Sequence, residues 1–136
     1  MSVAVTQQKM FVDGEFVDAL AGETMEVLNP ATGEVIAEVP RAGEEDVDRA
    51  VTAAEKAWDT WRHKTPKDRM ELLLRLADVI DENAEELARL ESRNVGKPWW
   101  VAVDEPGVMS DNLRFFAGAA RNLEGKSAGE YVEGYT

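Results

Sequence analysis

The sequence predicts an α+β chain, a short β-hairpin and meander followed by three helices. Three observations support this. Up to residue 39, short apolar runs are broken by turn residues. Beyond Pro40 the apolar spacing changes from two residues to 3.6, and the later segments are bounded by recognisable helix starts and stops. At 136 residues the chain has room for one sizeable core, since domains commonly run ~100–200 residues.

Residues 1–9 are expected to form a flexible amino terminus and residues 10–40 the meander. Asp13-Gly14 between the apolar pairs Phe11-Val12 and Phe16-Val17 is a strong hairpin signal, because a type I′ turn needs φ > 0 at both central residues. Further short strands are expected at 25–28 and 34–39. Asn29, Pro30 and Gly33 make the turn that separates them.

Residues 41–125 read as the three-helix region. Val47, Ala50, Val51, Ala54, Ala57, Trp58 and Trp61 follow i, i+3, i+4, i+7 spacing, with Glu44, Glu45 and Asp46 in the first turn, where the helix dipole favours acids. Thr65-Pro66-Lys67-Asp68 supplies an N-cap, a first-turn proline and an acid at N3 for a second helix running to the stop at Gly96 and Pro98. A third helix begins near Asp104 or Glu105 and tolerates Pro106 in its first turn. Its apolar stripe is Val108, Met109, Leu113, Phe116, Ala117, Ala120 and Leu123, and Gly125 is its stop. Residues 126–136 read as the start of a strand that leads to an absent region.

Composition excludes several chemistries. With 27 acids against 15 basic residues the net charge is −12, which argues against nucleic acid, whose binding needs clustered Lys and Arg. The absence of cysteine removes thiol nucleophiles, disulfides and thiolate metal sites. His63 alone cannot form a multi-histidine metal cluster and reads as a solvated loop residue. The ten glycines stand singly, with no phosphate-cradling motif. No secretory signal or membrane span is evident, so a cytoplasmic chain is expected. Glu82, Glu85, Glu86 and Glu91 interleave with Arg89 and Arg93 as a solvated helix face. Trp99-Trp100 cannot both face one core direction in a regular element. Asp104 and Glu105, followed by Asp111 on the same helix, read as an N-cap and helix acids that need no function; in a cleft beside tryptophan, such carboxylates hold an ammonium group.

Several segments together resemble the amino-terminal end of the NAD(P)-dependent aldehyde dehydrogenases. They are Phe11-Val12-Asp13-Gly14-Glu15, Asn29-Pro30-Ala31-Thr32-Gly33-Glu34, Val47-Asp48-Arg49-Ala50-Val51, Asn94-Val95-Gly96-Lys97-Pro98 and Leu113-Arg114-Phe115-Phe116-Ala117-Gly118. The continuation to Gly125 is most similar to the aminobutyraldehyde and betaine-aldehyde dehydrogenase group. The resemblance implies that the complete fold is α/β with a Rossmann-like cofactor domain, and that the nucleophilic Cys, general-base Glu and oxyanion-stabilising Asn lie downstream. This portion is then inactive alone and does not bind NAD itself. The family places its third helix along the substrate tunnel, at positions that fall here on Asp104 and Val108, with Glu105 adjacent. Glu105 fits the amine-contacting acid of amino-aldehyde relatives in a gapless comparison; either Asp104 or Glu105 fits if the 99–103 stretch is a residue short. Val101 and Val108 depart from the acidic pattern of some of those relatives. The resemblance also implies a monovalent cation, K+ or Na+, on the backbone carbonyls of Leu28 and Asn94. An aldehyde substrate and a homo-oligomer are implied for the complete enzyme, with no nucleic-acid or membrane partner. A free-standing helical interaction module derived from the family is the alternative, resting on three apolar helix stripes that would otherwise be covered.

Overall fold

A computed structural model describes residues 6–122 and Glu133. The expected strand start at 126–136 lies outside them except for Glu133, an exposed turn residue, as do Leu123 and Gly125. The chain divides into two compact units, residues 1–62 with 93–96 and residues 63–92 with 97–136.

The first unit holds five strands: β1 (Thr6–Gln7), β2 (Met10–Val12), β3 (Glu15–Val17), β4 (Thr24–Leu28) and β5 (Val35–Pro40). β2 and β3 form the expected hairpin, with Val12 opposite Glu15 and Phe11 opposite Phe16. Asp13 and Gly14 have φ of 53° and 83°, as the two-residue turn demands. β4 and β5 pair antiparallel. In their connection the Asn29 side-chain oxygen accepts the Ala31 N–H at 2.9 Å, and the Asn29 carbonyl accepts the Gly33 N–H at 2.7 Å. Within the segment expected to be a flexible terminus, β1 pairs parallel with β5, Thr6 beside Ala37, and the Gln8 N–H reaches the Glu38 carbonyl at 2.9 Å.

α1 (Glu44–Trp61) follows. Its apolar stripe forms as the spacing predicts, but Val47, Val51 and Trp58 are more than half exposed; the buried residue of this helix is Asp46.

The second unit contains α2 (Pro66–Glu82), most of α3 (Ala84–Val95), α4 (Trp99–Ala102) and α5 (Glu105–Ala119). The single long helix expected from residue 66 to Gly96 is two helices. At Asn83 the backbone leaves the helical region, and the side-chain amide folds back onto the Val79 carbonyl at 2.8 Å. The Asn83 carbonyl then accepts the Leu87 N–H at 3.0 Å and opens α3. Asparagine competes in this way with the backbone for its own hydrogen bonds, which is why it breaks helices.

α2 packs along α5. Ala77 and Ile80 on α2, and Pro106, Ser110 and Ala117 on α5, are buried. This corrects the expected α5 stripe. Ala117 is buried as expected, whereas Val108, Met109 and Phe116 stand 50–60% exposed. The side chains that α5 buries are small, and these large apolar ones stay half or more exposed. Among the described residues no large side chain is fully buried, and no helix is long and apolar enough to cross a membrane.

Candidate functional site

The residues singled out at the start of α5 are positioned by three local devices along residues 96–106. α3 ends at Gly96, whose φ of +73° is the left-handed stop that glycine supplies. Pro98 then opens α4, where the Val101 N–H reaches the Pro98 carbonyl at 2.9 Å. Asp104 is the N-cap of α5, and Pro106 lies in the first turn, where its missing N–H costs no helical bond. The Asp104 carbonyl accepts the Val108 N–H at 3.4 Å, so these two residues stand one turn apart on the helix.

Their surroundings differ. Asp104 is exposed and its side chain makes no capping hydrogen bond. Val108 is 60% exposed. Glu105 is half-buried and ion-paired to the Lys97 ammonium, which also lies 2.8 Å from a Glu91 carboxylate oxygen. The Ser92 hydroxyl donates to the Lys97 carbonyl at 2.7 Å and fixes the backbone from which this side chain springs. Glu105 first and Glu91 second raise the Lys97 pKa above its ordinary value. Beside the three charges lies an apolar cleft of about 190 Å³, lined by Leu87, Ala88, Ala102, Pro106 and Met109.

Lys97 is the residue that sequence reasoning missed. It entered only as part of Gly-Lys-Pro, because its partners stand six positions before and eight after it, outside the three- and four-residue spacings that reveal pairs on one helix. Glu91 correspondingly leaves the solvated face to which it was assigned, whereas Glu85 stays there, paired with Arg89 at 2.5 Å. Arg89 also stands 5.2 Å from the centre of the Trp99 ring, while Trp100 is 74% exposed, so the two tryptophans do face different surroundings.

The residues assigned to a cation belong to the first unit. Leu28 ends β4, and Asn94 lies in the last turn of α3, where carbonyls have no helical partner. Their segments adjoin: a Cβ built on Gly96 would lie 2.9 Å from Cγ of Pro30. Backbone carbonyl oxygens suit a hard cation, so the chemistry of this donor set fits. Among the described residues no cluster of three His, Asp or Glu is placed to hold a metal. A separate cleft of about 550 Å³ beside the hairpin and α1 carries Asp13, Glu45, Asp48, Arg49 and Lys56 but none of the predicted site residues.

Comparison with known proteins fits this architecture to a family. The sequence pattern described as "Aldehyde dehydrogenase family" matches residues 16–136. Aldehyde dehydrogenase 1 of Tanacetum cinerariifolium is 46% identical over 120 residues, covering 86% of this chain and 24% of that protein. The crystal structure of an NAD-dependent aldehyde dehydrogenase from Sinorhizobium meliloti superposes with a TM-score of 0.85 at 40% identity, over 90% of this chain and 25% of its own. An NAD+ complex of the Bacillus cereus aldehyde dehydrogenase gives 0.84 at 43%, over 90% of this chain and 26% of its own. The chain belongs to the aldehyde dehydrogenase family, and it spans about a quarter of the length of the curated relatives it matches.

Proposed function

We propose that the chain is the amino-terminal structural and tunnel-lining portion of an NAD-dependent aldehyde dehydrogenase that oxidises ω-aminoaldehydes, as in the aminobutyraldehyde and betaine-aldehyde group, to acids. One observation carries the reading: a family match from residue 16 to 136 coincides with a helix, α5, that keeps Asp104 and Val108 exposed one turn apart. An aldehyde drawn along that face meets an apolar wall at Val108 and a carboxylate at Asp104, which suits an alkyl chain ending in an ammonium group. Catalysis and NAD binding belong to the rest of the enzyme, since this portion has no cysteine and no phosphate-cradling glycine loop. The Leu28 and Asn94 carbonyls contribute to a K+ or Na+ site that ties the Asn29-Pro30 turn to the end of α3. The complete enzyme is a cytoplasmic homo-oligomer.

The coding sequence beyond Thr136 tests the enzyme reading, which requires a continuation containing the family's Asn, Glu and Cys. For the substrate class, Asp104→Asn and Glu105→Gln in the complete enzyme are compared on amino- and neutral aldehydes. Unchanged discrimination in both variants removes the amine preference.

A further inference from the structure

We propose that Lys97 is a specificity-determining residue: its ammonium, tethered between Glu91 and Glu105, takes the place an incoming ammonium group would occupy at Glu105, leaving Asp104 as the acid open to a cationic ligand. The inference rests on the reading of α5 as a tunnel wall and decides which of its two leading acids does the binding.

The geometry has three parts. A carboxylate recognises an ammonium through short charge-assisted hydrogen bonds, and Lys97 already makes them to Glu91, at 2.8 Å, and to Glu105. The lysine side chain is held as well as charged: 23% of it is exposed, and the Ser92 hydroxyl anchors its carbonyl. The adjoining cleft offers Leu87, Ala102, Pro106 and Met109 to an alkyl stem. Two acids and an apolar trough are what a primary alkylamine needs, and the chain supplies one of its own. Asp104, next in sequence, makes no cap bond, and no ion pair among the described residues holds it.

An occupant attached to the same chain competes as an intramolecular ligand, so a free amine at ordinary concentration does not displace it. Removing the lysine charge should therefore expose a dormant amine site, whereas exchanging it for another cation should not.

The test is an NMR titration of the full chain with n-butylammonium chloride against matched sodium chloride, following the Glu and Asp side-chain carboxyl carbons. Wild type is expected to show no shift at Glu91 or Glu105, and Lys97→Arg the same. Lys97→Met is expected to bind n-butylammonium at both acids at least about tenfold more tightly than wild type. A Glu105 response in wild type matching that of Lys97→Met overturns the proposal, as does a folded Lys97→Met that binds nothing there. If Lys97→Met loses its native spectrum, wild type and Lys97→Arg decide between them: silence at Glu105 in both supports the proposal, and a shift in either overturns it. The enzyme reading fails separately, on the coding sequence, and leaves this titration intact.

Discussion

The Asp46 carboxylate accepts the backbone N–H of Leu20 at 3.1 Å and that of Gly43 at 3.0 Å. One buried acid thus caps the start of α1 from inside the helix and fastens the loop after β3 to it. Asp46→Ala leaves both amides without this acceptor in a site that is 4% exposed. Losses of this kind cost about 1–3 kcal/mol, and urea denaturation should show a fall in that range. Asp46→Asn, which keeps one oxygen, should lose less.

Gly96 and Gly22 both hold a left-handed φ, +73° and +67°, a conformation costing other residues about 1–2 kcal/mol. Only at Gly96 does a Cβ also meet the Pro30 ring, at 2.9 Å; at Gly22 it meets nothing within 4 Å. Gly96→Ala should therefore lower the thermal midpoint more than Gly22→Ala, and calorimetry on the two variants separates strain from collision.

At the start of α2 the Thr65 N–H and hydroxyl reach Asp68 Oδ2 at 3.0 and 2.9 Å, and the Asp68 N–H returns to the hydroxyl at 3.2 Å. These bonds hold the Asp68 carboxyl below its ordinary pKa, and Ser110 followed by Arg114 does the same for Asp81. Groups with a lowered folded pKa add stability above the ordinary carboxylate range and lose it as pH falls through the lowered values. Thermal midpoints should fall on acidification toward pH ~3, and the fall should be shallower in Asp68→Asn. Thr65→Ala should cost about 1 kcal/mol at neutral pH.

Arg114 on α5 reaches Asp78 at 2.8 Å and Asp81 at 2.7 Å on α2. All three are partly exposed, so salt screens them. Arg114→Gln should lower the midpoint at low ionic strength, and the difference from wild type should shrink as sodium chloride is added. Because the Arg114 and Lys97 pKa values are raised, what their cationic forms contribute is present at neutral pH and, on the alkaline side, is lost as pH climbs through the raised values.

Phe115 and Phe116 meet edge to face with ring centres 5.3 Å apart, and are 68% and 59% exposed. If the chain acts as a free-standing interaction module, Phe115→Ser should reduce its self-association in sedimentation while changing stability by no more than about 0.5 kcal/mol. Identical sedimentation of variant and wild type removes that reading.

Much of the fold was legible because it is locally encoded. Asp13-Gly14 dictates its hairpin by backbone geometry alone, and Thr65-Pro66-Lys67-Asp68 dictates the start of α2 through side chains three residues apart. The break at Asn83 is not legible from spacing although Asp81 and Asn83 are both weak helix formers, because the apolar spacing continues across it. The packing face of α5 was misread for a different reason. Periodicity ranks large apolar residues first, whereas those that α5 buries are small. The candidate site was least legible, since the ion pairs of Lys97 join residues that only the turn at Gly96 and the bend through α4 bring together.

The covalent attachment of Lys97 also bears on ionic conditions. Glu105 carries its counter-ion on the same chain, so its neutralisation does not depend on which cations the medium supplies. Asp104 has no such companion among the described residues and answers to bulk potassium, sodium and ammonium by mass action. Two neighbouring acids on one helix turn thus differ in kind, one with a counter-ion supplied by the fold and one that draws its counter-ion from the solution around it.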